Sequence, residues 1–311
     1  MITPVDGASA VPASSGRLPV VSRPPHRPQV LHGRVFRGSW ATNSGVLTRA
    51  QLRSSAWRRI REDVYADAAE PDTHRLHARA VSLVMPPGAA LGGRTAAVLS
   101  GLPDAAGPDD PVEVVLPTTV RWDPPGVFVR AAELDGDVVG LGPFLRWTAP
   151  VRTAVDLARR GPVPAAVVLL DQLVQARVVE LAAVRAAVAA LPRCRGSRTA
   201  REVVARADGL AQSPQETRVR LLLAASDLPG PVAQFEVRDA GAFVARVDFA
   251  WPAQKVALEY DGLWHADPAQ FRRDRERLNR LTAAGWRVVF ATAADLHRPD
   301  RLLRLLRAEL R

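Results

Sequence analysis

The chain contains a single cysteine, Cys194, among its 311 residues. One cysteine cannot build a disulfide framework, and it makes a cysteine-based zinc site implausible. Long apolar runs are also missing, since no stretch of about 18 apolar residues predicts a membrane span. The first residues lack the basic start and apolar core of a secretory signal peptide. These absences predict a protein of the reducing cytoplasm.

Lysine is almost absent as well. Lys255 is the only lysine, so arginine supplies nearly all the positive charge of a chain whose formal net charge is +10. Such a basic excess favours an anionic partner, most commonly nucleic acid. The sequence also lacks a phosphate-cradling glycine loop, a nucleophile elbow and a cysteine–histidine pair. These absences disfavour an enzyme that acts on a small metabolite.

The length and the local patterns predict an α+β multidomain protein. Residues 1–32 are rich in Pro, Ser, Gly and Ala and are expected to form a disordered tail. Residues 33–70 have the pattern of a winged helix-turn-helix, and residues 71–192 read as an α+β middle region. A linker with a short helix is expected at 193–211, followed by an α/β domain with a mixed sheet at 212–311.

Two strand-like runs organise the last domain. In the runs 243–249 and 256–261, polar residues recur at every second position, as Arg246 and Asp248 in the first and as Glu259 and Asp261 in the second. Trp251 to Gln254 reads as the turn between the runs. Because strand side chains alternate between faces, Glu259 and Asp261 share one face. If the two runs pair as neighbours, Asp248, Glu259 and Asp261 converge on one patch.

Carboxylates within apolar strands need positive compensation, because an unpaired charge is costly to bury. A divalent cation bound to carboxylates and water is one solution, and Mg²⁺ prefers such oxygen ligands. The alternative is a pair of exposed edge strands whose carboxylates form ion pairs with arginines. Periodicity alone leaves both interpretations open.

A helix is expected to begin before these runs. Ser213 suits the N-cap, Pro214 suits the first helical position, and Glu216 stands where a capping box places a glutamate. Capping is therefore one role for Glu216. The spacing of Glu216, Val219 and Leu223 also puts the glutamate on an inward-facing stripe, from which it can reach a metal on the sheet.

A second helix is expected between Asp267, which caps it, and Gly285, which ends it. Residues 287–292 then read as a further strand, and the order strand, helix, strand predicts a parallel crossover. The helix is crowded with arginines suited to contacting a phosphate backbone. These candidate nucleic-acid contacts are Arg272, Arg273, Arg275 and Arg277.

The segments VDFAWP, ALEYDG, RRDRERLNRL and GWRVVF, with His265 after the second, resemble a group in the PD-(D/E)XK nuclease superfamily. That group is related to the very-short-patch-repair endonucleases, and the resemblance covers about residues 213–310. It implies a restriction-endonuclease-like fold that hydrolyses DNA with Mg²⁺ or Mn²⁺. It also implies that Asp248, Glu259 and Glu216 hold the metal and that Asp261 is the acid of an E-x-D-G motif.

The chain departs from the superfamily's E-x-K pattern, because Asp261 stands where that pattern has lysine. Lys255 has the same strand parity as Glu259 but lies four residues upstream, roughly 13 Å along a strand. His265 is a candidate general acid or base instead, since imidazole titrates near neutral pH. The alternative role for His265 is that of a hydrogen-bonding loop residue.

The region from Val35 to Ala66 has the pattern of a winged helix-turn-helix. Thr48 is expected to cap one short helix, a second helix is expected from Ser55 to Ile60, and a strand follows it. Such a unit places one helix in the major groove of DNA. The alternative is a solvated basic helix pair packed on its own chain. The candidate contacts to DNA are Arg49, Arg53, Arg58, Arg59 and Arg61.

The segments GVLTRAQL and RRIREDVYAD also resemble the N-terminal domain of AbiEi-type antitoxins. Those antitoxins pair with nucleotidyltransferase-like toxins in type IV toxin–antitoxin systems. The resemblance implies an autoregulatory DNA-binding module and, as a further expectation, a toxin of that kind as partner. Two functions thus stand as hypotheses: a Mg²⁺-dependent DNA endonuclease with a DNA-binding module, and a non-catalytic antitoxin-like transcriptional regulator.

Overall fold

The computed structural model of the protein describes residues 25–134, 136–261 and 268–311. These residues form a mixed α/β architecture with three sheets. They fall into two compact units, one ending at Ala69 and the other beginning at Glu70. No helix within the described ranges is both long and apolar enough to cross a bilayer.

The first unit is built on a small sheet with strand order β1-β3-β2. Its elements are β1 (Val35–Arg37), α1 (Gly38–Asn43), α2 (Arg49–Leu52), β2 (Trp57–Arg61) and β3 (Val64–Asp67). Phe36 and Trp57 form the centre of its core, packed edge to face with ring centroids 5.3 Å apart. The expected cap at Thr48 is present, since its hydroxyl accepts the Gln51 N–H while the Gln51 side chain accepts the Thr48 N–H.

The helix expected from Ser55 to Ile60 is wrong, because this segment forms strand β2. β2 pairs antiparallel with β3, and Trp57 turns inward onto Phe36. Tertiary pairing therefore overrides the local pattern: the strand hydrogen-bonds along β3 and buries an indole that a short isolated helix would leave in solvent.

The second unit begins with a five-stranded sheet of order β6-β5-β4-β8-β7. Here β5 pairs parallel with β6 and antiparallel with β4, whereas β7 and β8 form an antiparallel hairpin. Its elements are α3 (His74–Ser82), β4 (Ala90–Leu91), α4 (Gly93–Leu99), β5 (Val112–Leu116), β6 (Val127–Ala131), β7 (Val138–Leu141) and β8 (Leu145–Thr148).

A helical layer follows this sheet. It comprises α5 (Pro150–Ala158), α6 (Val163–Gln175), α7 (Leu181–Ala189) and α8 (Ser197–Arg206). The apolar face of α6 buries Val167, Leu170 and Leu173 in one continuous core. The segment expected as a linker with a short helix, 193–211, contains α8, which begins at Ser197 and ends at Arg206.

The C-terminal part of the second unit contains a four-stranded sheet of order β12-β11-β10-β9. Its strands β10 and β11 are antiparallel, and β11 and β12 are parallel, as the strand–helix–strand order predicts. The elements are α9 (Pro214–Ala224), β9 (Val232–Asp239), β10 (Ala242–Trp251), β11 (Val256–Tyr260), α10 (Pro268–Ala283), β12 (Arg287–Ala291), α11 (Ala293–His297) and α12 (Asp300–Glu309).

Alternation along β11 divides the apolar packing between two faces of this sheet. Leu258 belongs to the cluster that includes Val219 of α9 and Leu302 of α12. Ala257 belongs to the cluster that includes Leu281 of α10 and Trp286. The sheet is therefore covered on both sides, and any polar residue in its middle is forced to find a partner.

Candidate functional site

We refer to Glu216, Asp248 and Glu259 together as the acidic patch. The first turn of helix α9 positions Glu216. The Ser213 hydroxyl accepts the Glu216 N–H at 3.2 Å, and Pro214 occupies the first turn. Glu216 is itself buried, together with Val219 and Leu223 on the same helical stripe. The expected Ser213 cap is therefore present, and the Glu216 side chain is buried on the inward-facing stripe, where its carboxylate accepts the Gln212 N–H.

The position of α9 is fixed by a buried carboxylate on a different helix. Asp171 of α6 is fully buried and accepts the Thr217 hydroxyl at 3.0 Å and the Arg220 guanidinium at 2.7 Å. Its other oxygen accepts the backbone N–H groups of Asp208 and Gly209. This network joins α6 to the loop before α9 and to α9 itself, so it sets where Glu216 can reach.

Strand register brings Asp248 and Glu259 to neighbouring positions. β10 and β11 pair Phe249 with Leu258 and Ala250 with Ala257, so the same alignment carries Asp248 toward Glu259. The Tyr260 N–H donates to Asp248 Oδ2 at 2.9 Å, which confirms that this carboxylate lies against β11. Their convergence follows from the hairpin and from the two-residue strand repeat.

Glu216 joins this pair from α9. Its Oε2 accepts the Gln212 N–H at 2.8 Å and the Gln234 side-chain amide at 3.0 Å. Gln234 lies on β9 with φ at +51°, between Phe235, which pairs with Val247, and Ala233, which pairs with Phe249. Burial raises the pKa of Glu216, and the neighbouring charge of Asp248 raises it further. The two carboxylates are therefore close enough to repel each other.

The carboxylate of Glu259 is held by Arg277 of α10. The two guanidinium nitrogens donate to its two oxygens at 2.5 and 2.7 Å, and one of them also donates to the Arg246 carbonyl. The side chains are 11% exposed for Glu259 and 29% for Arg277, so this is a largely desolvated bidentate pair. Arginine compensation, one of the two alternatives left open by the sequence, is thus present at one of the three acids.

The acidic patch nevertheless has too little positive charge nearby to balance its carboxylates. Burial raises the pKa of Asp248 against the opposing effects of the Tyr260 N–H and of Arg277. Burial also raises the pKa of Glu259, and this effect outweighs the lowering by Arg277. Burial lowers the pKa of Arg277, but its bonds to Glu259 and the nearby carboxylates raise it overall. The acids therefore carry their charges at a free-energy cost near neutral pH.

The donor atoms suit a hard divalent cation, because all three side chains offer carboxylate oxygens. Within the described ranges, no group of three His, Cys, Asp or Glu side chains is positioned to ligate an ion. Both oxygens of Glu259 accept from Arg277, and Glu216 Oε2 accepts from two amide donors. A divalent ion would compete with Arg277 for Glu259.

The remaining predicted groups of the site lie at its margins. Asp261 follows β11, and its N–H donates to the Ala291 carbonyl at 2.8 Å. His265 lies outside the described residues. Lys255 is at the opposite end of β11 from Glu259, where its Nζ donates to the Ala284 carbonyl at the end of α10. It therefore does not replace the lysine of the E-x-K pattern.

The other arginines of α10 are oriented differently from Arg277. Arg272, Arg273 and Arg275 have exposed side chains on the first half of the helix. They stand within two turns of the Arg277–Glu259 pair, because residues five apart on a helix are separated by about 7.5 Å along its axis. Arg280, the remaining arginine of α10, is also exposed, so the structure separates one inward-facing arginine from four solvent-facing ones.

In the first unit, the predicted basic residues are divided between two elements. Arg49 lies on α2 and Arg53 directly follows it, both exposed. Arg58, Arg59 and Arg61 all lie on strand β2, not on the helix expected there. Burial lowers the pKa of Arg61.

Sequence reasoning missed several residues that build the site. Arg277 was expected to contact phosphate, and its pairing with Glu259 spans 18 residues between different elements. Gln234 lies on a strand that the alternation did not indicate, and Asp171 is 46 residues from its Thr217 partner. The one available signal was Asp171 itself, a lone acid within the apolar run of α6.

Comparison with known proteins adds relatives but no function. No protein-family model matches the chain. Two uncharacterized proteins of Mycobacterium tuberculosis, from strains CDC 1551 / Oshkosh and ATCC 25618 / H37Rv, are each 38% identical to it over 157 residues. The match covers 50% of this chain and 58% of each relative, so it spans little more than half their length.

Proposed function

We propose that the C-terminal part of the second unit is a Mg²⁺-dependent DNA endonuclease domain with a restriction-endonuclease-like fold. The observation that carries this proposal is the proximity of Asp248 to Glu259 on paired strands, with Glu216 at the start of α9 close enough for the charge of Asp248 to raise its pKa. The parallel crossover from β11 through α10 to β12 is the connection expected of such a domain.

Glu216, Asp248 and Glu259 would hold the ion, either Mg²⁺ or Mn²⁺. When bound, such an ion supplies an activated water and stabilises negative charge on a phosphodiester. The protein's own part is to concentrate carboxylates whose pKa values are raised, so that a cation relieves their mutual repulsion. Asp261 stands next to this patch as the further acid of the E-x-D-G motif, and His265 remains a candidate acid or base.

DNA is the proposed substrate because the chain is basic and its exposed arginines lie beside the acidic patch. Arg272, Arg273 and Arg275 of α10 would contact phosphates through solvent-facing guanidinium groups. The first unit would add a winged helix-turn-helix-like DNA-binding module. In it, α2 and the arginines of β2 would contact the duplex, the latter as part of a β2–β3 wing.

The test is cleavage of supercoiled plasmid by the full chain with Mg²⁺ or Mn²⁺. Glu259→Gln should abolish metal-dependent nicking because it removes a ligand charge. Asp295→Asn is the matched control, since Asp295 is also buried, is bound by two Arg301 nitrogens and is none of the three proposed ligands. It should lose stability while keeping cleavage. Equal nicking by wild type and Glu259→Gln would refute the endonuclease proposal.

A second candidate, a non-catalytic antitoxin-like transcriptional regulator, is favoured by the Arg277–Glu259 pair. A guanidinium already neutralises the carboxylate that a metal would need, and Asp261 stands in the lysine's place. This protein would bind its own promoter through the first unit and neutralise a nucleotidyltransferase-like toxin. Metal-independent promoter binding by a protein that never nicks DNA, together with co-purification of such a toxin from a neighbouring gene, would favour it.

A further inference from the structure

A second feature of the same unit lies outside the acidic patch. A cavity of about 490 Å³ opens between the end of α5, one face of α6 and the first turns of α9. This volume is in the range of small-molecule sites, about 300–1,000 Å³. Its floor is largely apolar: Leu157 comes from α5, and Val168 and Leu169 come from α6. The cavity is thus large enough for a compact organic molecule.

One polar atom in the floor lacks a partner. Gln172 lines the cavity one turn after Val168 and Leu169, so it belongs to the same face of α6. Its Nε2 is buried and has no hydrogen-bond acceptor within the described part of the chain. A buried amide donor without an acceptor is costly. The Nε2 atom is closed to solvent, so a ligand oxygen pairs with it only when the Gln172 side chain turns its amide toward the cavity, and that turn relieves the cost.

The rim of the cavity is rigid and basic. Arg94, Arg160 and Arg218 line it, against the acids Asp104 and Glu113. Glu113 is already committed, because it accepts the Arg94 N–H at 2.8 Å and pairs with Arg160 at 2.8 Å.

Two further contacts define the rim. The Arg160 guanidinium also lies 5.8 Å from the centre of the Phe128 ring, so its direction is fixed from two sides. Arg218 of α9 is exposed at the opposite wall and makes no hydrogen bond or ion pair with any described residue. It is the rim cation with its charge available to a ligand.

We infer that this cavity binds a small amphipathic anion, with its carboxylate or phosphate group on Arg218, its flat apolar body on the α6 floor, and an acceptor oxygen on Gln172. An inorganic anion would satisfy Arg218 but leave the apolar floor and the buried amide uncovered. A neutral apolar molecule would leave both polar groups unsatisfied. The inference does not depend on the endonuclease proposal, since none of these side chains belongs to the acidic patch.

Isothermal titration calorimetry on the full chain tests it with three probes: phenyl phosphate, benzoate and inorganic phosphate. Phenyl phosphate or benzoate should bind at least about tenfold more tightly than inorganic phosphate, since burial of a six-carbon ring adds several CH₂ equivalents of transfer free energy. Arg218→Ala and Gln172→Leu should each weaken that binding by about fivefold, the factor expected of one hydrogen bond. Which of the two organic probes binds more tightly distinguishes a phosphate from a carboxylate ligand.

Two further variants complete the design. Ala165→Phe places a ring in the cavity from an exposed position of α6, so it should block binding without a change in melting temperature. Arg304→Ala removes an exposed arginine from α12, remote from the cavity lining, and should bind like wild type. The inference is overturned if no organic probe binds, if inorganic phosphate binds as tightly as both of them, or if Ala165→Phe binds like wild type.

Discussion

Replacing Arg277 with methionine isolates the electrostatics of the acidic patch. Methionine keeps most of the apolar stem but removes the guanidinium that bonds both oxygens of Glu259. The side chains of Arg277 and Glu259 are 29% and 11% exposed, so little water can replace the lost hydrogen bonds to Glu259. Breaking such a buried pair costs roughly 3–5 kcal/mol, and we expect the lower end, about 3 kcal/mol at pH 7.5, because Arg277 is not fully desolvated.

The pH dependence of this loss has a defined sign. The folded-state pKa of Glu259 is raised by burial even with Arg277 present, and without Arg277 it rises further. A carboxylate with a raised folded pKa favours the folded state below its unfolded pKa, and that advantage disappears as the pH rises through the folded value. The destabilisation by Arg277→Met should therefore be full at pH 7.5 and shrink as the pH falls toward the usual range of glutamate.

Binding of a divalent ion should restore part of the stability that Arg277→Met loses. If Glu216, Asp248 and Glu259 bind Mg²⁺, the ion replaces the missing positive charge. Saturation at about a hundred times Kd then restores about 2.7 kcal/mol by mass action. Wild type should gain less than Arg277→Met, because in wild type the ion competes with the guanidinium for Glu259.

Equilibrium urea unfolding, followed by the fluorescence of the buried Trp251 and Trp286, measures these differences. Arg301→Met is the matched control, because Arg301 also binds one buried carboxylate through two nitrogens. Burial raises the pKa of Asp295, but the hydrogen bonds from Arg301 and Thr292 and the charge of Arg301 together lower it below its usual value. The contribution of the Asp295 carboxylate to stability is thus present above its unfolded-state pKa and is lost as the pH falls through its folded-state pKa. The reasoning would be refuted if Arg277→Met were as stable as wild type at pH 7.5. It would also be refuted if Mg²⁺ raised the free energy of unfolding equally in wild type and in Arg277→Met.

Four further outcomes are expected. Asp171→Asn should destabilise the second unit by about 3 kcal/mol in urea unfolding, because it removes the charge of a fully buried ion pair. Gly93→Ala should cost at least about 2 kcal/mol in the same assay, since φ is +51° and the new Cβ would lie 2.0 Å from the carboxylate of Glu113. Gly142→Ala, at φ +67° with no heavy atom within 4 Å, should cost only about 1 kcal/mol. Replacing Arg58 and Arg59 with alanine should weaken DNA binding and reduce its salt slope by about 2, as measured by fluorescence anisotropy; an unchanged slope removes them from the interface.

Local signals predicted much of the C-terminal sheet because strong periodicity and capping residues specify elements without help from the rest of the chain. The second strand run, expected at 256–261, matches β11 (Val256–Tyr260) to within one residue, and Ser213 with Pro214 begins α9 as expected. The same signals predicted a helix at Ser55 to Ile60, but pairing with β3 and burial of Trp57 stabilise a strand there. Short segments have little intrinsic preference, so long-range pairing determines them.

The sequence by itself determined the parity of Asp248 and Glu259 and the inward stripe of Glu216, because side-chain direction follows from the strand and helix repeats. Only the tertiary structure decided which charge faces those acids. Arg277 and its three neighbours on α10 are the same residue type in one short run, and nothing local marks the one that turns inward. That choice depends on how α10 crosses the sheet, a contact between residues 18 apart that only the assembled layers create.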